Sequence, residues 1–314
     1  MKKIFVAVCL AAIACLAYLS VSASLDSGSV SRYTLGVGGS DREYLVYEPK
    51  SLRDRSPVVI FLHGGGGPIG SADLALQRSG WTEKADKERF LVVFPDGLLE
   101  EPNKPMNLTD DLSNPYRNIR SWNDGSDVTP SARRGTPDVE FIQSMLSELH
   151  GRYSLDRNKI YVTGFSNGAT MTYRLGMELP EIFAAIAPVA GLLYTGTSSM
   201  ESSISLLHMV GSEDTPPETP LHGSPPSAST YTANPPLFWR DSLQCPNQSE
   251  MTETSFIRST KTAPCKSDSE VVIYIVKGLG HEYPGVIDYR KADNKSNTTS
   301  APDVIWDFFE KHSR

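Results

Sequence analysis

Seven apolar segments constrain the fold of this chain more than any other feature, because none alternates regularly between polar and apolar residues. They are YLVYE at 44–48, VVIFL at 58–62, FLVVF at 90–94, IYVT at 160–163, AAIAPV at 184–189, ISLLHMV at 204–210 and VVIYIV at 271–276. Short continuous runs of this kind are typical of strands covered on both faces, as in parallel sheets. We therefore predict a mostly parallel central sheet.

Segments with helical spacing lie between these strands. In residues 136–153, Thr136 is the predicted N-cap and Pro137 the first helical residue. The apolar stripe of this helix comprises Val139, Ile142, Met145, Leu146 and Leu149. Residues 71–88 and 303–312 predict similar helices. Strands that alternate with helices indicate an α/β fold with helices on both faces of the sheet. Three segments are predicted to be loops: 98–137, 213–236 and 245–270.

The first residues predict a secretory signal peptide. Lys2 and Lys3 precede a long apolar run, and no further charge occurs before Asp26. The small residues at 21–23 fit a cleavage site, which leaves residues 24–314 as a single predicted domain. An uncleaved anchor and a lipoprotein processed at Cys15 remain open as alternatives. We expect no stable membrane association after cleavage.

Charge and cysteine content agree with export and exclude one class of partner. The chain of 314 residues has a net charge of -7, so it lacks the basic excess typical of nucleic-acid-binding proteins. Only Cys245 and Cys265 remain after the predicted leader. An even pair in an oxidising compartment favours a disulfide, with two separate buried thiols as the alternative. No histidine lies near either cysteine at ligand spacing, so no metal site is predicted.

The segment GFSNG at 164–168 directly follows a predicted strand and precedes a helical pattern. A serine flanked by glycines two residues away on each side predicts a sharp strand-to-helix turn that exposes the hydroxyl of a nucleophile. Gly164 and Gly168 are expected because side chains there would collide with the turn. We therefore predict Ser166 as the nucleophile of a serine hydrolase.

A serine nucleophile needs a base and an acid that orients it. In a fold of this kind, the acid and then the histidine follow the serine along the chain. His281 satisfies this order, follows a predicted strand and is the predicted base. The loop after the preceding strand offers two acids, of which Asp214 is the predicted one and Glu213 the alternative.

The glycine-rich segment HGGGG at 63–67 follows the second apolar run. Such a loop lets backbone N–H groups approach a developing oxyanion, and we predict the N–H groups of Gly65 and Asn167 as the donors. A phosphate-binding loop is the alternative, but the lysine that it needs is absent. Two aromatic residues in polar loops, Trp122 and Tyr283, are candidates either for substrate binding or for packing the loops.

These motifs resemble those of a known family. LHGGGG, FPDG, SWNDG, GFSNGATMTYRLGMELPEIFAAIAPVAG, SLLHMVGSED and GLGHEYPG occur here in the order found in secreted poly(3-hydroxybutyrate) depolymerase-like and feruloyl esterases, related to carbohydrate esterase family one. The resemblance implies an α/β-hydrolase fold, no cofactor and a triad of Ser166, Asp214 and His281. Cys245 and Cys265 also resemble a cysteine pair that is common in the family.

Three departures from the family pattern keep the substrate open. Asp214 opens a longer proline-rich loop, Asp124 adds a charge to the tryptophan loop, and Tyr283 replaces a common tryptophan. We expect a secreted serine esterase that acts on feruloyl, acetyl-xylan-type or short aryl esters, with a small-molecule or oligosaccharide ester as its partner. A hydroxyalkanoate oligomer depolymerase is one alternative, and a non-catalytic carbohydrate-binding protein on a hydrolase scaffold is another.

Overall fold

The computed structural model describes residues 28–101, 103–107, 118–194, 203–214, 231–232, 234–286 and 299–314. The predicted signal peptide at 1–23 lies outside these ranges, as does most of the proline-rich segment at 213–236. The assignment of residues 24–314 to one domain therefore stays a prediction.

A ten-stranded sheet forms the centre of the described chain. Its strands are β1 (Ser29–Val37), β2 (Ser40–Glu48), β3 (Ser56–Leu62), β4 (Leu91–Pro95), β5 (Leu155–Phe165), β6 (Ala185–Val189), β7 (Ser205–Gly211), β8 (Glu250–Glu253), β9 (Ile257–Thr262) and β10 (Val271–Val276). Their order is β1-β2-β4-β3-β5-β6-β7-β10-β9-β8. The six central strands, β4-β3-β5-β6-β7-β10, pair in parallel. Two antiparallel strands extend the sheet at each edge, β1 and β2 beside β4 and β9 and β8 beside β10. The prediction of a mostly parallel sheet is confirmed.

Helices cover both faces of this sheet. They are α1 (Ala72–Arg78), α2 (Trp81–Glu88), α3 (Pro130–Arg133), α4 (Asp138–Arg152), α5 (Asn167–Glu178), α6 (Pro235–Ser242) and α7 (Ala301–Phe309). Two short 3-10 turns, Gly67–Ile69 and Lys266–Asp268, and two small two-stranded sheets complete the described elements. The small sheets pair Leu98–Leu99 with Arg120–Ser121 and Leu193–Tyr194 with Tyr231–Thr232.

Strand β3 shows why its sequence lacks alternation. All seven of its residues are buried, and successive side chains point into two different apolar clusters. Ile60 belongs to the same cluster as Phe141 of α4, whereas Phe61 belongs to the cluster on the opposite face, to which α7 contributes Ile305. Because both faces are covered by helices, every position along the strand favours an apolar residue.

Two predicted helices differ in their boundaries. The segment at 71–88 is not one helix, because Gly80 takes a left-handed conformation with φ 79° and separates α1 from α2. Helix α4 begins at Asp138, so that Pro137 rather than Thr136 holds the N-cap position. The carboxylate of Asp138 is buried and accepts a hydrogen bond from Arg42 at 2.6 Å, a tertiary contact that helix signals do not report.

The prediction of a loop over 245–270 is wrong. This segment contains the antiparallel hairpin of β8 and β9, in which β9 pairs with β10 at the edge of the sheet. All four residues of β8 are exposed, so the segment lacks the apolar pattern that marks the central strands. The predicted disulfide does form, and it joins Cys245, which follows α6, to Cys265, which follows β9.

Removing this disulfide should lower stability without altering the chemistry of the folded protein. The bond closes a loop over a sequence separation of 20, for which the chain-entropy model gives about 3 kcal/mol. We expect the double variant Cys245→Ala/Cys265→Ala to lose roughly 2–4 kcal/mol in urea unfolding. Reduction of the wild-type protein should give a similar loss, and an unchanged midpoint in both experiments would contradict the assignment.

Candidate active site

The turn between β5 and α5 presents Ser166 at the carboxyl edge of the sheet. Ser166 has φ 55° and ψ -118°, a conformation that is strained for a residue with a side chain. Two backbone hydrogen bonds hold it, from the Ser166 N–H to the Val189 carbonyl at 3.0 Å and from the Thr170 N–H to the Ser166 carbonyl at 3.0 Å. The strand-to-helix turn expected from GFSNG is therefore present.

The two flanking glycines are required by close backbone contact. A Cβ on Gly164 would lie 2.6 Å from the Gly168 carbonyl oxygen and 2.7 Å from that of Leu62. A Cβ on Gly168 would overlap the carbonyl oxygens of Leu62 and His63. The turn is thus pressed against the end of β3, the neighbouring strand. This contact places the serine beside the glycine-rich loop that leaves β3.

Three predicted side chains form one hydrogen-bonded chain. The Ser166 hydroxyl lies 2.9 Å from His281 Nε2 and donates to it, since the other ring nitrogen faces a carboxylate. His281 Nδ1 donates to both carboxylate oxygens of Asp214, each at 3.1 Å. Asp214, rather than the exposed alternative Glu213, contacts the imidazole. This is the arrangement in which a histidine accepts a serine proton while a carboxylate orients the ring.

Hydrogen bonds donated by backbone N–H groups join the acid loop to the histidine loop. The Gly278 N–H donates to Ser212 Oγ at 2.9 Å, and the Glu213 N–H donates to the Leu279 carbonyl at 2.9 Å. Gly211 allows this approach, since a Cβ there would lie 2.6 Å from the Gly280 carbonyl oxygen and still closer to that of Leu279. The relative positions of acid and base are therefore set mainly by main-chain contacts between β7 and β10.

The two predicted oxyanion donors lie on adjacent segments. A Cβ on Gly65 would lie 3.8 Å from the Cβ of Asn167 and 3.6 Å from Ile119 Cδ1. The preceding residue, Gly64, donates its N–H to the Ile69 carbonyl at 3.2 Å, which curls the loop back on itself. Asn167 is the first residue of α5, where backbone N–H groups have no acceptor within the helix. Their role as a donor pair stays a prediction.

The side chain of Asn167 is clamped by residues 122–126, which we name the brace loop. Asn167 Oδ1 accepts the Trp122 N–H at 2.7 Å, and Asn167 Nδ2 donates to Asp124 Oδ2 at 2.7 Å. The other oxygen of Asp124 accepts the Ser126 hydroxyl at 2.6 Å and the Ser126 N–H at 3.1 Å. Burial raises the pKa of Asp124, whereas these hydrogen bonds oppose the rise by favouring the carboxylate.

The fully buried His63 joins three loops at the same edge. Its Nδ1 donates to the Gly64 carbonyl at 2.7 Å, and its Nε2 accepts the Gly97 N–H at 2.9 Å. The His63 carbonyl accepts the indole N–H of Trp122 at 3.0 Å. Burial lowers the pKa of His63, although the nearby Asp96 carboxylate acts in the opposite direction. The imidazole is therefore a neutral structural group with one donor and one acceptor nitrogen.

The substrate-binding assignment of the two loop aromatics needs correction. Trp122 has an exposed fraction of 0%, and Tyr283 has one of 4%. The Tyr283 hydroxyl accepts the indole N–H of Trp81 at 3.0 Å, and its ring meets Phe61 edge-on at 5.4 Å between centroids. Both side chains are buried beneath the loops that carry them, so they offer almost no surface to a substrate.

Sequence reasoning missed the structural roles of His63 and of the Asn167 side chain. Both residues belong to the recognised motifs, in which only backbone groups had an assigned role. A polar residue next to glycine at a strand end is a signal that could have found them, because buried polar groups need fixed partners. Among the residues that the structure describes, no group of three or more His, Cys, Asp or Glu side chains is arranged to hold a metal ion.

A mostly parallel sheet with a half-buried serine at a strand-to-helix turn, joined to a histidine and an acid from later loops, defines an α/β-hydrolase. Comparison with known proteins agrees with this class. Residues 46–218 match the family model described as phospholipase/carboxylesterase, which covers more than half of the chain. The chain therefore belongs to this family.

Curated relatives are distant and longer than this chain. The bifunctional acetylxylan esterase/xylanase XynS20E of Neocallimastix patriciarum is 24% identical over 277 residues, which covers 86% of this chain and 33% of the relative. Poly(3-hydroxyalkanoate) depolymerase C of Paucimonas lemoignei is 26% identical over 189 residues, covering 60% of this chain and 41% of the relative. This chain thus spans about a third of the length of the first protein and about two fifths of the second.

A solved structure supports the fold. The acetyl xylan esterase from Aspergillus awamori superposes with a TM-score of 0.57 at 18% identity, covering 90% of this chain and 100% of that one. At this identity the likeness concerns the fold alone.

The close contact at Gly168 yields a stability prediction. We expect Gly168→Ala to prevent folding or to cost more than about 3 kcal/mol, because its methyl group would overlap two carbonyl oxygens of β3. Gly151→Ala is the matched control, since a Cβ at this exposed position in α4 meets nothing within 4 Å. The control should gain roughly 0.5–1 kcal/mol from helix propensity. Thermal unfolding of both variants provides the measurement, and a Gly168→Ala protein as stable as wild type would contradict the packing described.

Proposed function

We propose that this protein is a secreted serine carboxylic-ester hydrolase that acts through an acyl-enzyme on Ser166. The observation that carries the proposal is the hydrogen-bonded chain from Ser166 through His281 to Asp214. Membership of the phospholipase/carboxylesterase family supports the same reaction class.

Acylation begins at the contact between Ser166 and His281. As Ser166 Oγ attacks the ester carbonyl carbon, its proton moves to His281 Nε2, 2.9 Å away. The Asp214 carboxylate stabilises the imidazolium that forms and keeps its Nδ1–H pointing away from the serine. His281 then gives the proton to the leaving alcohol oxygen, and the carbon–oxygen bond of the ester breaks.

Deacylation repeats these steps with water. His281 takes a proton from a water molecule that attacks the acyl carbon, and returns it to Ser166 Oγ as the acid leaves. In both steps the carbonyl oxygen carries negative charge, for which the N–H groups of Gly65 and Asn167 are the proposed donors. Losing one donor of this kind typically lowers the rate by about 10²–10³-fold.

The openness of the described site supports esters carried on a large alcohol. The side chain of His281 is 52% exposed, and Ser166 is half-buried rather than enclosed. A relative named for acetylxylan esterase activity points to acetyl groups on a polysaccharide as the first substrate class, with feruloyl and short aryl esters in the same group. A relative named as a depolymerase of poly(3-hydroxyalkanoate) keeps hydroxyalkanoate oligomers as the second candidate.

Export is part of the proposal. The disulfide between Cys245 and Cys265 fits an oxidising compartment, which agrees with the signal peptide predicted at 1–23. Within the described residues, no helix is long and apolar enough to span a bilayer.

Substitution of the nucleophile tests the reaction. Ser166→Ala should lower the turnover of 4-nitrophenyl acetate by at least about 10⁴-fold, because the acyl-enzyme no longer forms. A fluorophosphonate probe should label wild type and leave Ser166→Ala unlabelled. Ser51→Ala, at an exposed turn, is the matched control and should behave as wild type. Turnover by folded Ser166→Ala would refute the proposal, and absence of both turnover and labelling in wild type would favour a non-catalytic carbohydrate-binding protein.

A substrate panel tests the finer assignment. We expect acetate release from acetylated xylan and ferulate release from methyl ferulate to exceed the hydrolysis of 3-hydroxybutyrate oligomers. Acetylated xylan carries its esters on a polysaccharide, which an open site admits, and feruloyl esters belong to the same proposed substrate class. Values of kcat/KM measured for the three substrates decide between them. Preference for the hydroxybutyrate oligomers would instead support the depolymerase alternative.

A further inference from the structure

Asp124 is a buried acid that the proposed hydrolysis does not use. It is 5% exposed, and its two oxygens accept three hydrogen bonds, two from Ser126 and one from the Asn167 side chain. Removing a carboxylate from water is costly unless its oxygens are well paired. Such a group is expected to hold its partners in fixed positions.

The brace loop, to which Asp124 belongs, contacts both predicted oxyanion segments. Its Trp122 N–H donates to Asn167 Oδ1 at 2.7 Å, and its indole N–H donates to the His63 carbonyl at 3.0 Å. Asn167 supplies one predicted donor, and Gly65 lies two residues beyond His63. The brace loop therefore bridges the ends of β3 and β5, from which the two donors arise.

A carboxylate is well suited to orient an amide because an ionised Asp only accepts hydrogen bonds. Asp124 Oδ2 faces Asn167 Nδ2 at 2.7 Å, whereas the Trp122 N–H faces Asn167 Oδ1. Rotating the amide of Asn167 by half a turn would set oxygen against carboxylate and NH₂ against N–H. Only one orientation of the side chain therefore satisfies both partners.

We infer that Asp124 is a positioning residue for the oxyanion site, acting through the side chain of Asn167. It fixes the first residue of α5, so that the Asn167 backbone N–H points to the reacting carbonyl oxygen. This inference rests on the proposed ester hydrolysis. It assigns a role to a residue whose side chain forms hydrogen bonds with Ser126 and Asn167 and none with Ser166, His281 or Asp214.

Kinetics of Asp124→Asn test the role. The amide of the variant has one oxygen and one NH₂ group. Whichever of the two faces Asn167, the variant cannot accept all three hydrogen bonds that the carboxylate accepts. We expect kcat for 4-nitrophenyl acetate to fall about 10–100-fold with KM changed less than about 3-fold, since oxyanion contacts act in the transition state. Ser126→Ala, which removes one donor to Asp124, should give a smaller fall of about 2–5-fold.

A double-mutant cycle separates positioning from general support of the fold. In an Asn167→Ala background, the further change Asp124→Asn should alter kcat less than about 2-fold, because the side chain through which Asp124 acts is gone. Asp307→Asn, an exposed acid on α7, is the matched control for the loss of one charge. All assays are made well below the unfolding temperature of each variant.

The outcomes are distinguishable. If wild type hydrolyses the ester in a Ser166-dependent way and Asp124→Asn keeps its full kcat, the positioning role is wrong while the hydrolase stands. If the effects of Asp124→Asn and Asn167→Ala multiply independently, Asp124 acts by another route and the inference is overturned. If Asp124→Asn does not fold, Ser126→Ala takes its place in the cycle. The inference then requires that Ser126→Ala lowers kcat in the wild-type background and leaves kcat unchanged in the Asn167→Ala background, and any other result overturns it. Absence of Ser166-dependent turnover in wild type would overturn the proposed function and this inference with it.

Discussion

The contact between the end of β3 and the turn after β5 determines the geometry of the site. Gly168 has no Cβ, so its backbone can lie against the carbonyl oxygens of Leu62 and His63. This contact and the hydrogen bonds to Val189 and Thr170 hold Ser166 at φ 55°. Strain of this size, about 1–3 kcal/mol, persists only where neighbouring structure over-determines the conformation. The same contact places the glycine-rich loop beside Ser166, so that the proposed nucleophile and the proposed oxyanion donors arise together.

A layer of buried and partly buried polar groups adjoins that contact. His63, Trp122, Asp124 and Asn167 are joined by hydrogen bonds of 2.7–3.0 Å that link the loops after β3, β4 and β5. Networks of this kind are costly when partly satisfied and rigid when complete, because the interior screens charges and dipoles poorly. An apolar layer would fill the same volume but would leave loop orientation to packing alone. Here hydrogen bonds between specific donors and acceptors fix the orientation of these loops relative to one another.

The central strands were predictable because burial on both faces favours apolar residues at successive positions, as in Ser56–Leu62. The edge hairpin of Glu250–Glu253 and Ile257–Thr262 was not, since strands exposed to solvent carry polar residues that resemble a loop. The break at Gly80 was missed because the apolar spacing continues on either side of it. Trp122 was left undecided because a tryptophan in a polar loop has the same local sequence whether it is buried or exposed.

The amino-acid sequence by itself determined the α/β class, the glycine-flanked serine and the chain order of nucleophile, acid and histidine, because these depend on local spacing and on backbone conformations that only glycine permits. Tertiary structure alone decided that Asp214 rather than Glu213 faces His281, that Trp122 and Tyr283 are buried, and that Asp124 reaches Asn167. Each of these outcomes depends on contacts between loops that are far apart along the chain. Local patterns carry no information about such contacts, since the path of each loop is set by the partners it meets at the edge of the sheet.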